Sequence, residues 1–93
     1  MVKSDPAGLV EYITRNLVKN PDSVSVIPVK GPSSLVLELR VHHDDLGTVI
    51  GKGGRIAKSL RTILGSITTR TIQVEEGVVE NYSKIALEII DDE

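Results

Sequence analysis

An α+β fold follows from three features of the chain. Leu35, Leu37, Leu39 and Val41 alternate with Val36, Glu38, Arg40 and His42, the period of a strand with one apolar face. Ile56, Ala57, Leu60, Ile63, Leu64 and Ile67 recur with the spacing of a single helical stripe. Between these segments, Gly51-Lys52-Gly53-Gly54 separates a short helix from the longer one. With 93 residues, 40% of them hydrophobic and 26% charged, the chain has the size for one core and one domain.

Residues 1–4 carry no structural signal and are expected to be flexible, as are residues 91–93. Asp5 suits an N-cap and Pro6 the first helical position, where its missing N–H costs nothing. Leu9, Val10, Ile13 and Leu17 then predict a helix over residues 6–18, ended by Asn20-Pro21-Asp22. Residues 23–29 set Val24, Val26 and Pro28 against Ser23, Ser25 and Ile27, which predicts a strand that Pro28 places at a sheet edge. Lys30-Gly31-Pro32-Ser33-Ser34 is a turn, so this strand and the one that follows it form an antiparallel hairpin with one apolar face.

His42-His43-Asp44-Asp45 contains metal-ligand side chains. Adjacent residues at a strand-to-helix junction diverge, however, and no further His or Cys completes a shell. Asp44 or Asp45 is expected instead to cap the next helix. In that short helix Leu46, Val49 and Ile50 form the buried side. The helix after the glycine loop starts at Arg55 and ends between Gly65 and Thr69, Gly65 weakening its last turn. Beyond it the pattern supports two readings. Ile85, Leu87 and Ile89 alternate as in a strand, whereas Val78, Val79, Tyr82, Ile85, Ala86 and Ile89 fit a helix with residues 71–75 as the strand.

The glycine loop carries the chemistry. Gly51, Gly53 and Gly54 admit backbone conformations closed to other residues and remove the Cβ atoms that hold a ligand off the main chain. Gly54 and Arg55 open the longer helix, so its unpaired amides and the positive end of its dipole face the loop. Phosphate is the natural guest there. Lys52 adds a mobile charge at the loop tip and Arg55 a second. Between Leu46 and Val74 there is no acidic residue, but there are Lys52, Arg55, Lys58, Arg61 and Arg70. A solvated helix face normally mixes both signs. The net charge of −2 arises elsewhere, since from Glu75 onward seven acidic residues stand against Lys84 alone.

Composition narrows the function further. The absence of cysteine rules out a disulfide framework and a thiolate metal site, and no metal or cofactor is expected. There is no N-terminal apolar region of the secretory kind and no run approaching roughly 18 apolar residues, so neither export nor a membrane span is expected. That leaves the cytoplasm. Tyr12 and Tyr82 are the only aromatic residues, too few for modules that stack bases on aromatic rings. Nor is catalysis expected. The glycine loop lacks Walker spacing, no Ser-His-Asp arrangement is present, and the Asp44-Asp45 pair suits a cap.

Val49-Ile50-Gly51-Lys52-Gly53-Gly54-Arg55-Ile56, with Ala57 behind it, resembles the KH (K-homology) domain. In that family a G-x-x-G loop clamps the backbone of about four nucleotides of single-stranded nucleic acid. Gly51 and Gly54 match its two fixed glycines, and Lys52 and Gly53 fill the variable pair. The order helix, strand, strand, helix, G-x-x-G, helix, strand is similar to the type II arrangement. Chain length, the Asn20-Pro21-Asp22 link and Leu60-Arg61-Thr62-Ile63 look like small bacterial KH proteins of the KhpA type. The resemblance spans residues 9–90 and implies a three-stranded sheet covered on one face by three helices. It implies a single domain over residues 5–90 and a last strand at 84–90. The stretch at about 69–83 would be an extended loop or insertion, longer than the family usually needs.

The resemblance also implies single-stranded RNA as the ligand and a post-transcriptional regulator or RNA chaperone as the role. Assembly would be as a homodimer or with a larger KH-containing protein. The loop amides and Lys52 would hold phosphates, positioning the strand without reading it. Arg55, Lys58 and Arg61 would extend that contact. Bases would lie over Val49, Ile50, Ile56, Ala57 and Leu39, with strand backbone near Val41 reading their edges. Other assignments compete: Ile56, Leu60 and Leu39 suit a core, Val49, Ile50 and Ala57 suit either place, and Lys58 and Arg61 suit a plain solvated face. A second class of function is a KH-fold adaptor or dimer subunit with weak RNA binding. It would use apolar surface left over from the Leu60, Ile63, Leu64 and Ile67 stripe.

Overall fold

A computed structural model describes residues 5–51, 53–66, 72–75, 78–80 and 84–92. In chain order the elements are α1 (Pro6–Arg15), β1 (Ser25–Lys30), β2 (Ser34–His42), α2 (Leu46–Ile50), α3 (Arg55–Ser66), β3 (Ile72–Glu75), β4 (Val78–Glu80) and β5 (Lys84–Asp92). The main sheet has the order β1-β2-β5, with β1 antiparallel and β5 parallel to the central β2. Leu35, Leu37, Leu39 and Val41 project from β2 to one side and are 0% exposed, which is the alternation read from the sequence. Around that row close Val10 of α1, Val24, Val49 of α2, Leu60 and Leu64 of α3, and Leu87 of β5. The architecture is therefore the expected α+β one, three helices against a three-stranded sheet. The Pro28 strand is an outer one, where a missing N–H does least harm.

Helix α1 starts as its capping residues predict. Asp5 Oδ1 accepts the Gly8 amide at 3.1 Å, and Pro6 occupies the first position. It stops at Arg15, short of the expected Val18. The amides of Asn16 and Leu17 turn to the carbonyls of Ile13 and Thr14, and Asn16 Nδ2 donates to the Tyr12 carbonyl at 2.7 Å. Asp45 draws the chain away. Its buried carboxylate accepts the Lys19 amide at 3.1 Å, the Asn20 amide at 3.0 Å and Asn20 Nδ2 at 3.1 Å. Amides held this way cannot continue a helix, and Leu17 is left 49% exposed. Residues Pro21–Ser23 then make a single 3-10 turn, so β1 begins at Ser25.

Asp45 therefore plays a different part from the expected one. It precedes α2 but makes no side-chain bond to that helix's amides. His42 caps the 3-10 turn His43–Asp45 that leads into α2, its Nδ1 accepting the Asp44 amide at 3.0 Å.

At the C-terminal end both competing segments are strands, and residues 78–80 are a strand rather than part of a helix. β3 and β4 pair antiparallel as a separate two-stranded sheet within the stretch expected to be loop, with β3 beside α1. β5 runs past the expected Ile90 to Asp92. Asp91 pairs with Val41, and its carboxylate lies 2.7 Å from His43 Nδ1, so these residues belong to the sheet rather than to a loose end.

Burial acts to raise the Asp45 pKa, but the bonds from Lys19 and Asn20 and the nearby His42 outweigh it and hold the carboxyl below its ordinary 3.8. The stabilisation this provides is complete above the unfolded value near 3.8 and is lost as pH falls through the lower folded value. Thermal melts from neutral to acid pH should therefore show wild-type Tm falling below about pH 4. Asp45→Asn should start lower at neutral pH and lose less on acidification. Separately, Thr14 Oγ1 is buried with no hydrogen-bond partner among the described residues. Thr14→Val should raise the unfolding free energy measured in urea by about 1 kcal/mol.

Candidate nucleic-acid interface

The turn between α2 and α3 uses its glycines for different reasons. Gly51 has an ordinary extended conformation, but its amide donates to the Gly47 carbonyl at 2.9 Å and a Cβ there would collide with that carbonyl. Gly53 and Gly54 have φ of +78° and +72°, the left-handed region that side chains disfavour. Gly54 donates to the Gly51 carbonyl at 2.9 Å and accepts the Lys58 amide at 2.8 Å, the bond that opens α3. The amides of Arg55, Ile56 and Ala57 precede that bond and have no acceptor within the helix. They present the positive end of a 12-residue helix to the turn. Lys52 lies outside the described residues.

Cations flank these donors. Arg55 and Lys58 are exposed, and among the described residues neither is engaged in an ion pair. No acidic residue occurs between Leu46 and Ser66 to neutralise them. Arg61 is placed differently. Its Nη2 donates to the Leu87 carbonyl at 3.3 Å, so it ties α3 to β5.

Beside the turn lies an open cleft of about 340 Å³ lined by Gly47, Thr48, Gly51, Arg55 and Ile56. It brings together three residues expected at the site, Gly51, Arg55 and Ile56, with Gly53 and Gly54 completing the turn. Three residues expected to floor the groove point into the core instead: Val49 and Leu39 are 0% exposed and Ala57 is 3% exposed, and the side chain of Val41, whose neighbouring backbone was expected to read base edges, is buried with them. The reason is geometric. The apolar stripes of α2 and α3 and the inward row of β2 meet one another, so they cannot also face a ligand. The main chain of Leu39 is committed as well, since it pairs with Val26 on one side and Ile89 on the other.

Ile50, expected on the buried side of α2, is 51% exposed at the mouth of the turn. Leu60 and Leu64 fill the core while Ile63 reaches the surface, and Ile67 lies outside the described residues. The sequence reading missed Gly47 and Thr48. The available signal was Gly47 standing one helical turn before Gly51, where its carbonyl becomes the acceptor for the turn.

The model of the family described as KhpA/KhpB, KH domain, matches residues 7–76. Similar proteins include three named RNA-binding protein KhpA. The one from Streptomyces coelicolor is 46% identical over 66 residues, 71% of this chain and 84% of the relative. That from Borreliella burgdorferi is 43% identical over 70 residues, 72% of this chain and 85% of the relative. That from Clostridium perfringens is 42% identical over 82 residues, 88% of this chain and 96% of the relative. No solved structure matches the chain significantly.

Chemical denaturation separates core from surface at this site. Leu39→Ala should cost about 2–5 kcal/mol of stability as a cavity mutation in the centre of the sheet. Ile50→Ser, at an exposed position, should change stability by no more than about 0.5 kcal/mol.

Proposed function

The chain belongs to the KhpA/KhpB KH-domain family, and on that premise we propose that it binds single-stranded RNA by gripping the sugar-phosphate backbone at the Gly51–Gly54 turn. The observation that carries this reading is the set of α3 first-turn amides without helical acceptors, flanked by unopposed Arg55 and Lys58. Main-chain donors held by a folded turn lose no side-chain freedom on binding, and a helix N-terminus favours an anion. Lys52, between two loop glycines, supplies a further charge. These contacts hold the strand in place, and bases are received in the cleft beside Ile56, with Ile50 at its edge.

The role is non-catalytic, that of a cytoplasmic post-transcriptional regulator or RNA chaperone. Among the described residues no helix is long and apolar enough to cross a membrane and no His, Cys, Asp and Glu grouping suits a metal. Assembly as a homodimer or with a larger KH-containing protein is part of the same proposal. Apolar side chains left at the surface support it: Leu9 and Tyr12 of α1, and Ile27 and Val29 on the outer side of β1. The same residues favour a second reading, an adaptor that binds protein chiefly and RNA weakly.

Neutralising about three or four phosphates gives a log–log salt dependence with slope of roughly −2 to −3 on a single strand. Short labelled oligoribonucleotides titrated at several salt concentrations measure it. The double variant Lys52→Asp with Gly53→Asp should lose RNA binding while its circular dichroism keeps the helical signal. Amide resonances of residues 51–55 should shift as RNA is added. Resonances that stay still, with a partner protein still bound, favour the adaptor.

A further inference from the structure

We propose that His42 is a proton-operated cap. Neutral, it holds the 3-10 turn His43–Asp45 that leads into α2; protonated, it lets that turn go, while His43 keeps the turn tied to β5. The partners of the two rings fix where their protons sit, because each partner has a single role. A main-chain amide only donates, so His42 Nδ1, 3.0 Å from the Asp44 amide, is the bare, accepting nitrogen and the ring proton sits on Nε2. An ionised carboxylate only accepts, so His43 Nδ1, 2.7 Å from Asp91 Oδ2, carries a proton. Adjacent histidines therefore use the same ring atom in opposite roles.

One added proton then has opposite effects. At His42 it occupies the accepting nitrogen, two donors face each other, and the bond to the Asp44 amide is lost. Asp44 Oδ2 lies 3.6 Å from that nitrogen and takes the imidazolium instead. At His43 the proton adds to the other nitrogen, and the existing bond to Asp91 becomes an ion pair. The charges around His42 favour its release. Asp44 follows in the turn, Asp45 is near enough to feel the charge, and Asp92 of β5 stands opposite His42 in the register. The cation next along the same face of β2, Arg40, is 3.6 Å from Glu38. The side chains of His42 and His43 are 39% and 61% exposed, so solvent protons reach both.

The position of the turn carries the effect to the glycines. α2 is only five residues long and begins at Leu46, directly after Asp45. Its end holds the bond from the Gly51 amide to the Gly47 carbonyl, on which the glycine turn is built. No side chain bonds the first amides of α2 itself. The polar contacts that fix the entry to α2 are the His42 cap and the bonds converging on Asp45. Loss of the cap leaves Asp45 to hold that entry.

Hydrogen exchange of the free protein tests this without any RNA. Wild type, His42→Asn and His43→Gln are compared at about pH 7.5 and about pH 5.5, which span the range where histidine changes charge. Asparagine at position 42 offers the Asp44 amide the oxygen of an Asx turn, an acceptor that does not titrate. After correction for intrinsic exchange rates, the wild-type Gly51 amide should lose about fivefold in protection on acidification, the worth of one cap. The amides of Leu37 and Leu39, in the central strand, should hold theirs. His42→Asn should keep Gly51 protection constant, and His43→Gln, without the opposing bond, should lose at least as much as wild type. Nitrogen-15 shifts of wild type at the higher pH should show the His42 ring proton on Nε2. Unchanged Gly51 protection in wild type, a loss in His42→Asn equal to that of wild type, or a His42 proton on Nδ1 overturns the cap. A smaller loss in His43→Gln than in wild type overturns the tether.

Discussion

The fold turns on one buried carboxylate. Asp45 sits where β2 gives way to α2 and binds the amides of Lys19 and Asn20, which lie more than one element away in sequence. Three hydrogen bonds to an ionised acceptor offset the cost of removing the charge from water, since charge-assisted bonds are the stronger kind. One joint therefore fixes two things: where α1 must end and where α2 must begin. α2 is too short to be stable alone, and its five residues place the glycine turn. A displacement at Asp45 would be carried along that single turn of helix to the donors at the start of α3.

From that joint the site is assembled with main chain rather than with long side chains. The carbonyl of Gly47 takes the amide of Gly51, the carbonyl of Gly51 takes that of Gly54, and the carbonyl of Gly54 takes that of Lys58. Each bond engages a backbone group and orients the next, so the amides that remain are presented in a fixed direction. An anion meeting them encounters a preorganised set, which lowers the ordering cost of binding. The protein's acidic balance does not oppose this, because its carboxylates lie outside residues 46–66.

The division between core and surface also follows from packing. A chain of this size has enough apolar residues for one interior, and β2 occupies its centre. Arg61, bonded to the Leu87 carbonyl, shows the same economy among the cations: it joins α3 to the outer strand that runs parallel to β2. Ile50 is left exposed because α2 turns its other face inward, and Ile56 both packs against the core and lines the cleft.

Sequence alone determined the element types as far as α3, the antiparallel hairpin, the Asp5 cap, the edge position of Pro28 and the glycine turn with its cations. Each of these is a local matter, set by periodicity, by a residue's allowed φ or by a missing N–H. The inward row of β2 was legible for the same reason, since strict alternation assigns sides without reference to any partner. Tertiary structure alone decided that Asp45 serves residues 19–20 rather than α2, and that β5 joins β2 in parallel. It also decided that Val49, Ala57, Leu39 and Val41 are core while Gly47 and Thr48 open onto the cleft. Periodicity marks a face as apolar but does not say what will cover it. That depends on which distant surfaces meet, and contacts between residues far apart in the chain leave no local pattern to read.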